Sequence, residues 1–286
     1  MLRKIVKKVL QVSRAWLSAD EYTHVPDDAE SAYPWLNALQ MRITQETPST
    51  LRPNYLWGAL QGVHLAKALG IGSISLIEFG VAGGNGLVAL DLISERVEDP
   101  LGIKTAVFGF DTGKGLPPPK DFRDCPNLYT EGTYPMDVDK LRSQLHRAQL
   151  ILGRVEETVP MFLATYKPGP IAFVSVDLDL YTSTEAALHI FEADTQFLLP
   201  RIPCYFDDII GFTFAEHNGE RLAIAEFNQE HESRKISVIH GLKHYVPRPY
   251  FDAQWVEKFY MAHILDHELY CHNDGLTQRP RLDLVA

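Results

Sequence analysis

The chain has 286 residues, 45% of them hydrophobic and 22% charged, and its 27 Lys+Arg against 37 Asp+Glu leave a formal net charge of -10. Such a chain is long enough for one large α/β domain with a small appendage, and too apolar for disorder or low complexity. Its negative charge repels phosphate backbones, so no nucleic-acid partner is expected and a small molecule is.

Cys125, Cys204 and Cys271 lack CxxC spacing. They imply neither a zinc ribbon nor a disulfide framework, and reduced thiols in a cytoplasmic protein are expected. In "MLRKIVKKVLQVSRAWL" the residues Leu2, Ile5, Val6, Val9 and Leu10 share one helical face, with Arg3, Lys4, Lys7 and Lys8 around the other. This predicts an amphipathic helix, retained because no small-residue cleavage site follows. Packing on the body or on a second copy in a homo-oligomer is the first reading, and contact with an anionic membrane surface the alternative. No run is apolar and long enough to span a bilayer. Residues 20 to 54 carry scattered Pro, Asp, Ser and Thr and read as loops around one short helix. Residues 1 to 50 are thus expected as a helical extension or cap, and 51 to 286 as the main domain.

"NYLWGALQGVHLAKALGI" is a helical pattern ending at Gly70, after which short apolar runs alternate with amphipathic stretches. Strands are predicted at Ser75–Phe79, Thr105–Asp111, Gln149–Leu152, Ile171–Val176 and Cys204–Phe206. Helices are predicted near 86–96, 137–147, 156–166 and 183–197. "KISVIHG" and "EKFYMAHILDHELY" read as a further strand pair, the second with a helical alternative. The order calls for a Rossmann-like, doubly wound, mostly parallel sheet of seven strands.

In such sheets ligands sit beyond the carboxyl ends of the strands. After the first strand comes "IEFGVAGGNG", with Glu78 at the strand end and Gly80, Gly83, Gly84 and Gly86 in the turn. Glycines there permit positive φ and close ligand approach, and the next helix offers free N–H groups. Gly84-Asn-Gly86-Leu-Val-Ala89 also fits the dinucleotide spelling, a weak signal alone. Asp111, after the second strand, stands where such folds keep an acid for ribose hydroxyls; capping the turn "DTGKG" is its bland alternative. Gly153-Arg154-Val155-Glu156 is expected to border an adenine ring, with Glu156 as a cofactor contact. Asp177 and Asp179 in "VDLDLYTSTEAAL" and Asp207 and Asp208 in "CYFDDIIG" crowd four carboxylates onto neighbouring strand ends. That concentration calls for a cation or a shared proton, and oxygen-only ligands suit Mg²⁺, Ca²⁺ or Mn²⁺. Helix capping by Asp179, Asp207 or Asp208, with no metal, is the alternative. Hydride transfer has no use for such a cluster, whereas transfer to a hydroxyl does.

Together "IEFGVAGGNG", "GFDTGKGLP", "VDLDLYTSTEAAL" and "YFDD" resemble the class I S-adenosylmethionine-dependent methyltransferases, and within them the macrocin O-methyltransferase-like family, from about Leu51 to about Phe227. The resemblance implies that Glu78, Gly80 and Gly84 hold the methionine end of the cofactor and Asp111 its ribose. It also implies that Asp179, Asp207 and Asp208 bind a divalent ion, Mg²⁺ being the expected one, that Asp177 is the general base, and that Tyr181 orients the loop. The implied activity is O-methylation of a hydroxylated small molecule, a glycoside or natural product. A metal-independent methyltransferase and a degenerate cofactor-binding protein with an assembly role stay open. Gly113-Lys114 departs from the family's aromatic and acidic pair, and "GLPPPKDFRDCPNLYTEGTYPMDVDK" is expected to form a substrate lid. His263 and His267 have i, i+4 spacing that would suit a metal only on a helix; core or surface histidines are expected there.

Overall fold

The structure, a computed structural model, describes residues 34–47, 51–211 and 215–272. The basic amphipathic helix expected at the N-terminus lies outside the described residues, and of the expected cap only α1 (Pro34–Glu46) is described.

Next comes α2 (Pro53–Ala68), which opens with proline in its first turn, where a missing N–H costs nothing. Its face from Tyr55 to Ala66 is almost entirely buried, because it lies across β1, β4 and β5 rather than on the surface. At Gly62 a Cβ would stand 2.1 Å from the Ala172 carbonyl oxygen, so only glycine lets the helix come this near the sheet.

Then β1 (Ser73–Phe79), α3 (Asn85–Leu101), β2 (Lys104–Asp111), α4 (Val138–Gln144), β3 (Gln149–Leu152), α5 (Val155–Tyr166), β4 (Ile171–Val176), α6 (Tyr181–Leu188), β5 (Arg201–Phe206), α7 (Gly219–Glu230), β6 (Arg234–Val238) and β7 (Phe259–Ile264) follow in turn. They build a seven-stranded sheet in the order β3-β2-β1-β4-β5-β7-β6. β1 to β5 pair in parallel, and β7 runs antiparallel to both β5 and β6. Buried on both faces, β1 and β4 read as near-continuous apolar runs. The expected mostly parallel, doubly wound sheet is the one observed, and the C-terminal pair is a strand pair.

Helix ends differ from expectation. α3 continues past residue 96 through Pro100, which gives up one i→i−4 hydrogen bond, and stops at left-handed Gly102. α6 starts at Tyr181 and gives way at His189 to short 3₁₀ turns, so the single helix expected over 183–197 is broken. The cap of α6 comes from elsewhere in the chain: Thr182 donates its N–H to Asp124 Oδ1 at 2.8 Å and its hydroxyl to Oδ2 at 2.9 Å. A remote carboxylate thus satisfies an orphan helix donor.

Candidate active site

The strand order reverses between β1 and β4, and their carboxyl ends open on one cavity of about 240 Å³. Gly80 leaves β1 at φ +83, and a Cβ there would lie 1.8 Å from the Asp177 carbonyl oxygen. Only glycine allows the β1 turn and the β4 end to touch. At the end of β2, Asp111 accepts the Val81 and Ala82 N–H groups through Oδ2, both at 2.9 Å, and the Gly113 N–H through Oδ1 at 2.6 Å. It therefore does cap its own turn, and in addition ties the two turns together while lining the cavity with Gly80 and Ala82.

Glu78 is held behind that wall, 1% exposed. Its Oε1 accepts the Tyr55 hydroxyl at 2.7 Å, and Tyr55 in turn accepts from the Ser175 hydroxyl at 2.8 Å and from Arg52 at 3.2 Å. Burial pushes the Glu78 carboxyl up to about 8, and its Oε2 has no hydrogen-bond partner among the described residues. Gly86 makes room for this carboxylate, since a Cβ would sit 1.8 Å from Oε1. Gly84, at φ +90, precedes α3 and packs on Leu141 rather than lining the cavity.

Glu156 does not line this cavity. It pairs with Arg154 at 2.8 Å and faces a second cavity between α5 and α6, while its neighbour Val155 lines the first. Residues one apart in the first turn of a helix point in different directions, which separates the two.

All four aspartates expected at the strand ends line the cavity. Asp177 and Asp207 extend the sheet, their N–H groups donating to Phe79 and Val176 at 2.9 Å each. Among the described residues no hydrogen bond reaches the Asp177 carboxylate. Burial first, then Asp207, Asp208, Glu78 and Asp179, push it up to about 8. Asp179 adopts φ +61, a strained conformation for a residue with a side chain, and donates its N–H to Asp208 Oδ2 at 3.1 Å. Burial raises both carboxyls, and a Tyr129 hydroxyl bond partly offsets the rise at Asp179. Asp207 is turned differently: Oδ1 accepts the Tyr205 hydroxyl at 2.8 Å and the Lys258 ammonium at 3.0 Å.

An ammonium therefore stands where a third metal ligand was expected. Among the described residues no group of three or more His, Cys, Asp or Glu side chains converges as a ligand set. Asp179 and Asp208 offer oxygens of the kind hard divalent cations take, so the donor chemistry fits such an ion at two residues rather than three. For an adenosyl cofactor the fit rests on the open Gly80 turn, Asp111 and the orphan oxygen of Glu78.

Arg52, Tyr55, Tyr129, Lys258 and Glu220 escape the sequence reading. Glu220, in the first turn of α7, is 1% exposed, and burial beside Asp208 raises it well above the ordinary range, a rise that the Asp208 backbone N–H partly offsets. The segment expected as a lid meets α6 through Arg123, whose guanidinium lies 4.6 Å from the Tyr181 ring centre, while Tyr181 donates to Glu226. His263 stands on β7 bonded to Tyr270 at 2.8 Å, and His267 to the Leu198 carbonyl at 3.1 Å, so their spacing is not helical and both are structural.

Fold and site together define a Rossmann-like α/β domain with an acidic cleft at its topological switch point. No protein-family model and no curated protein matches the chain. Among solved structures it is similar to the calicheamicin methyltransferase CalS11, at 24% identity over 76% of this chain and 91% of that one, with a TM-score of 0.48. It is similar to the O-methyltransferase NovP, at 14% identity over 74% and 79% of the two chains and a TM-score of 0.49. For the O-methyltransferase TomG from Streptomyces achromogenes the identity is 14% over 88% and 98%, with a TM-score of 0.40.

Proposed function

We propose that the chain is an S-adenosylmethionine-dependent O-methyltransferase of the macrocin-like kind, acting on a hydroxyl of a glycoside or other natural product. The observation that carries the reading is Asp177: a largely buried carboxylate without a hydrogen-bond partner among the described residues, raised to about 8, at the switch point beside the Gly80 turn and Asp111. A base with a pKa near the working pH takes a proton as the oxygen becomes nucleophilic.

The cofactor supplies an electrophilic methyl group. Gly80 and Asp111 line the space that would hold it, and Glu78 closes the back. Asp177 faces that space from β4, receives the acceptor's hydroxyl proton and keeps it away from the developing nucleophile. Asp179 and Asp208 would hold a divalent ion, Mg²⁺ being expected, which lowers the pKa of an acceptor oxygen. The chain's own contribution is chiefly orientation and exclusion of water. A metal-independent variant of the reaction is favoured by one observation, the Lys258 ammonium already seated on Asp207.

Isothermal titration with S-adenosylmethionine and with NAD tests the cofactor, and transfer of labelled methyl to a panel of glycosides tests the reaction. S-adenosylmethionine is expected to bind in preference; tight NAD binding without affinity for it overturns the proposal. Transfer unchanged by a strong chelator selects the metal-independent form.

A further inference from the structure

The cavity between α5 and α6, about 410 Å³, is larger than the one at the strand ends, and the proposed reaction makes no use of it. Its floor is apolar, with Val159, Pro160 and Leu163 of α5 across from Ala186 of α6 and Ile190 just beyond it. Its rim is acidic, with Glu156 on one side and Glu185 and Glu192 on the other. Arg154 meets Glu156 Oε1 at 2.8 Å, His189 lies between Glu185 at 3.2 Å and Glu192 at 2.7 Å, and His231 meets Glu192 at 3.0 Å. Glu156 keeps acceptor capacity: its Oε2 is buried with no hydrogen-bond partner among the described residues, and Pro160, inside α5, has no N–H to give its carbonyl.

An apolar groove edged by carboxylates, one of them with a buried oxygen unsatisfied, suits an apolar surface edged by cations. The chain carries such a surface in residues 1–17. There Leu2, Ile5, Val6, Val9 and Leu10 share one helical face, Arg3, Lys4, Lys7 and Lys8 surround it, and no acid precedes Asp20. At helical rise Leu2 to Leu10 spans about 12 Å, against about 10 Å along α5 from Glu156 to Leu163. The segment also reaches. Phe162 of α5 packs on Phe108 and Phe110 of β2, whereas Leu87 of α3 meets Gly109 between them, so the groove and α3 lie on opposite faces of the sheet. α1 packs on α2, which packs on α3. Residues 18–33, which lead to α1, extend to at most about 55 Å, more than the roughly 45 Å that a compact domain of this size measures across.

We infer that residues 1–17 seat in the α5–α6 groove of their own chain, the Leu2–Leu10 face on its floor and the lysines against Glu185 and Glu192, as a strap carried around the sheet from α1.

Carbodiimide coupling of amines to carboxylates in the full chain, read by mass spectrometry, is expected to join Lys4, Lys7 or Lys8 to Glu185 or Glu192. With ordinary and ¹⁵N-labelled copies mixed, the links are expected within one chain. Val6→Asp puts a charge into the apolar face. It is expected to abolish the links and to raise amide exchange across residues 156–163 and 185–193 at least about fivefold, with β1 and β4 unchanged. Glu185→Gln combined with Glu192→Gln is expected to raise exchange over the same residues. Links between differently labelled chains alone place the segment on a second copy and overturn the own-chain assignment. No links, links only to other carboxylates, or exchange in α5 and α6 that Val6→Asp leaves unchanged overturn the groove itself. Binding of phosphatidylglycerol vesicles through residues 1–17 without any change in α5 and α6 exchange assigns the segment to a membrane surface and overturns it too.

Discussion

Replacing Asp177 with asparagine keeps the shape of the side chain and removes its charge, and no hydrogen bond from the described residues is lost because none of them reaches the carboxylate. The folded-state value of about 8 stands against an ordinary 3.8. Below pH 4 the group is protonated in both folded and unfolded chains and costs nothing. Between 4 and 8 the unfolded chain releases a proton that the folded chain keeps, so the stability present at low pH is lost as pH rises and levels off above 8. At about 1.36 kcal/mol per unit over roughly three units, the burden at pH 7 is of the order of 4 kcal/mol, lessened by water entering the cavity that Asp177 lines. Asp177→Asn is therefore expected to melt higher than the unaltered protein at pH 8 by up to roughly 10 °C, with the gap closing towards pH 4. Thermal denaturation followed by circular dichroism from pH 4 to pH 9, with chelator present, reads this out. A gap independent of pH, or one that widens towards acid, refutes the assignment of Asp177 as a strained carboxylate. The same variant is expected to abolish methyl transfer while S-adenosylhomocysteine affinity stays within about threefold.

Lys258→Met removes the ammonium from Asp207 and is expected to cost about 1–3 kcal/mol in urea denaturation, since a partly buried carboxylate loses its ion pair. A stability unchanged within about 0.5 kcal/mol would show that the pair is a surface contact only. Gly80→Ala places a methyl 1.8 Å from the Asp177 carbonyl oxygen and forces a left-handed φ on alanine. It is expected to destabilise by at least about 3 kcal/mol and to weaken S-adenosylhomocysteine binding, both measurable by ligand-dependent melting. Asp124→Ala uncaps α6 and loosens the segment that carries Asp124, costing about 1–2 kcal/mol, with new cleavage expected between residues 113 and 137 in limited proteolysis.

Strands were legible because a parallel sheet buried on both faces writes itself as short continuous apolar runs, and β1 to β5 follow those runs closely. The carboxylates were legible for a related reason. Acids at the ends of apolar strands have nowhere to go but the rim of the sheet, and Asp111, Asp177, Asp179, Asp207 and Asp208 are all there. The partners of those acids were not legible, because they are set by strand order and helix placement rather than by local pattern. Lys258 reaches Asp207 only because β7 inserts beside β5, with Phe259 opposite Tyr205. Tyr55 reaches Glu78 only because α2 crosses the sheet, and Asp124 caps α6 from 58 residues away. Glu156 faces a different cavity from Val155 for a local reason: a shift of one residue in a helical turn exchanges cavities.

The single reversed strand has a consequence for the balance of charge at the rim. β1 to β5 bring Asp177, Asp179, Asp207 and Asp208 to their carboxyl ends, while the ammonium that meets Asp207 belongs to the residue immediately before β7. A chain shortened before Lys258 would keep all four carboxylates and lose that ammonium, leaving the rim more negative by one charge and more dependent on cations from outside.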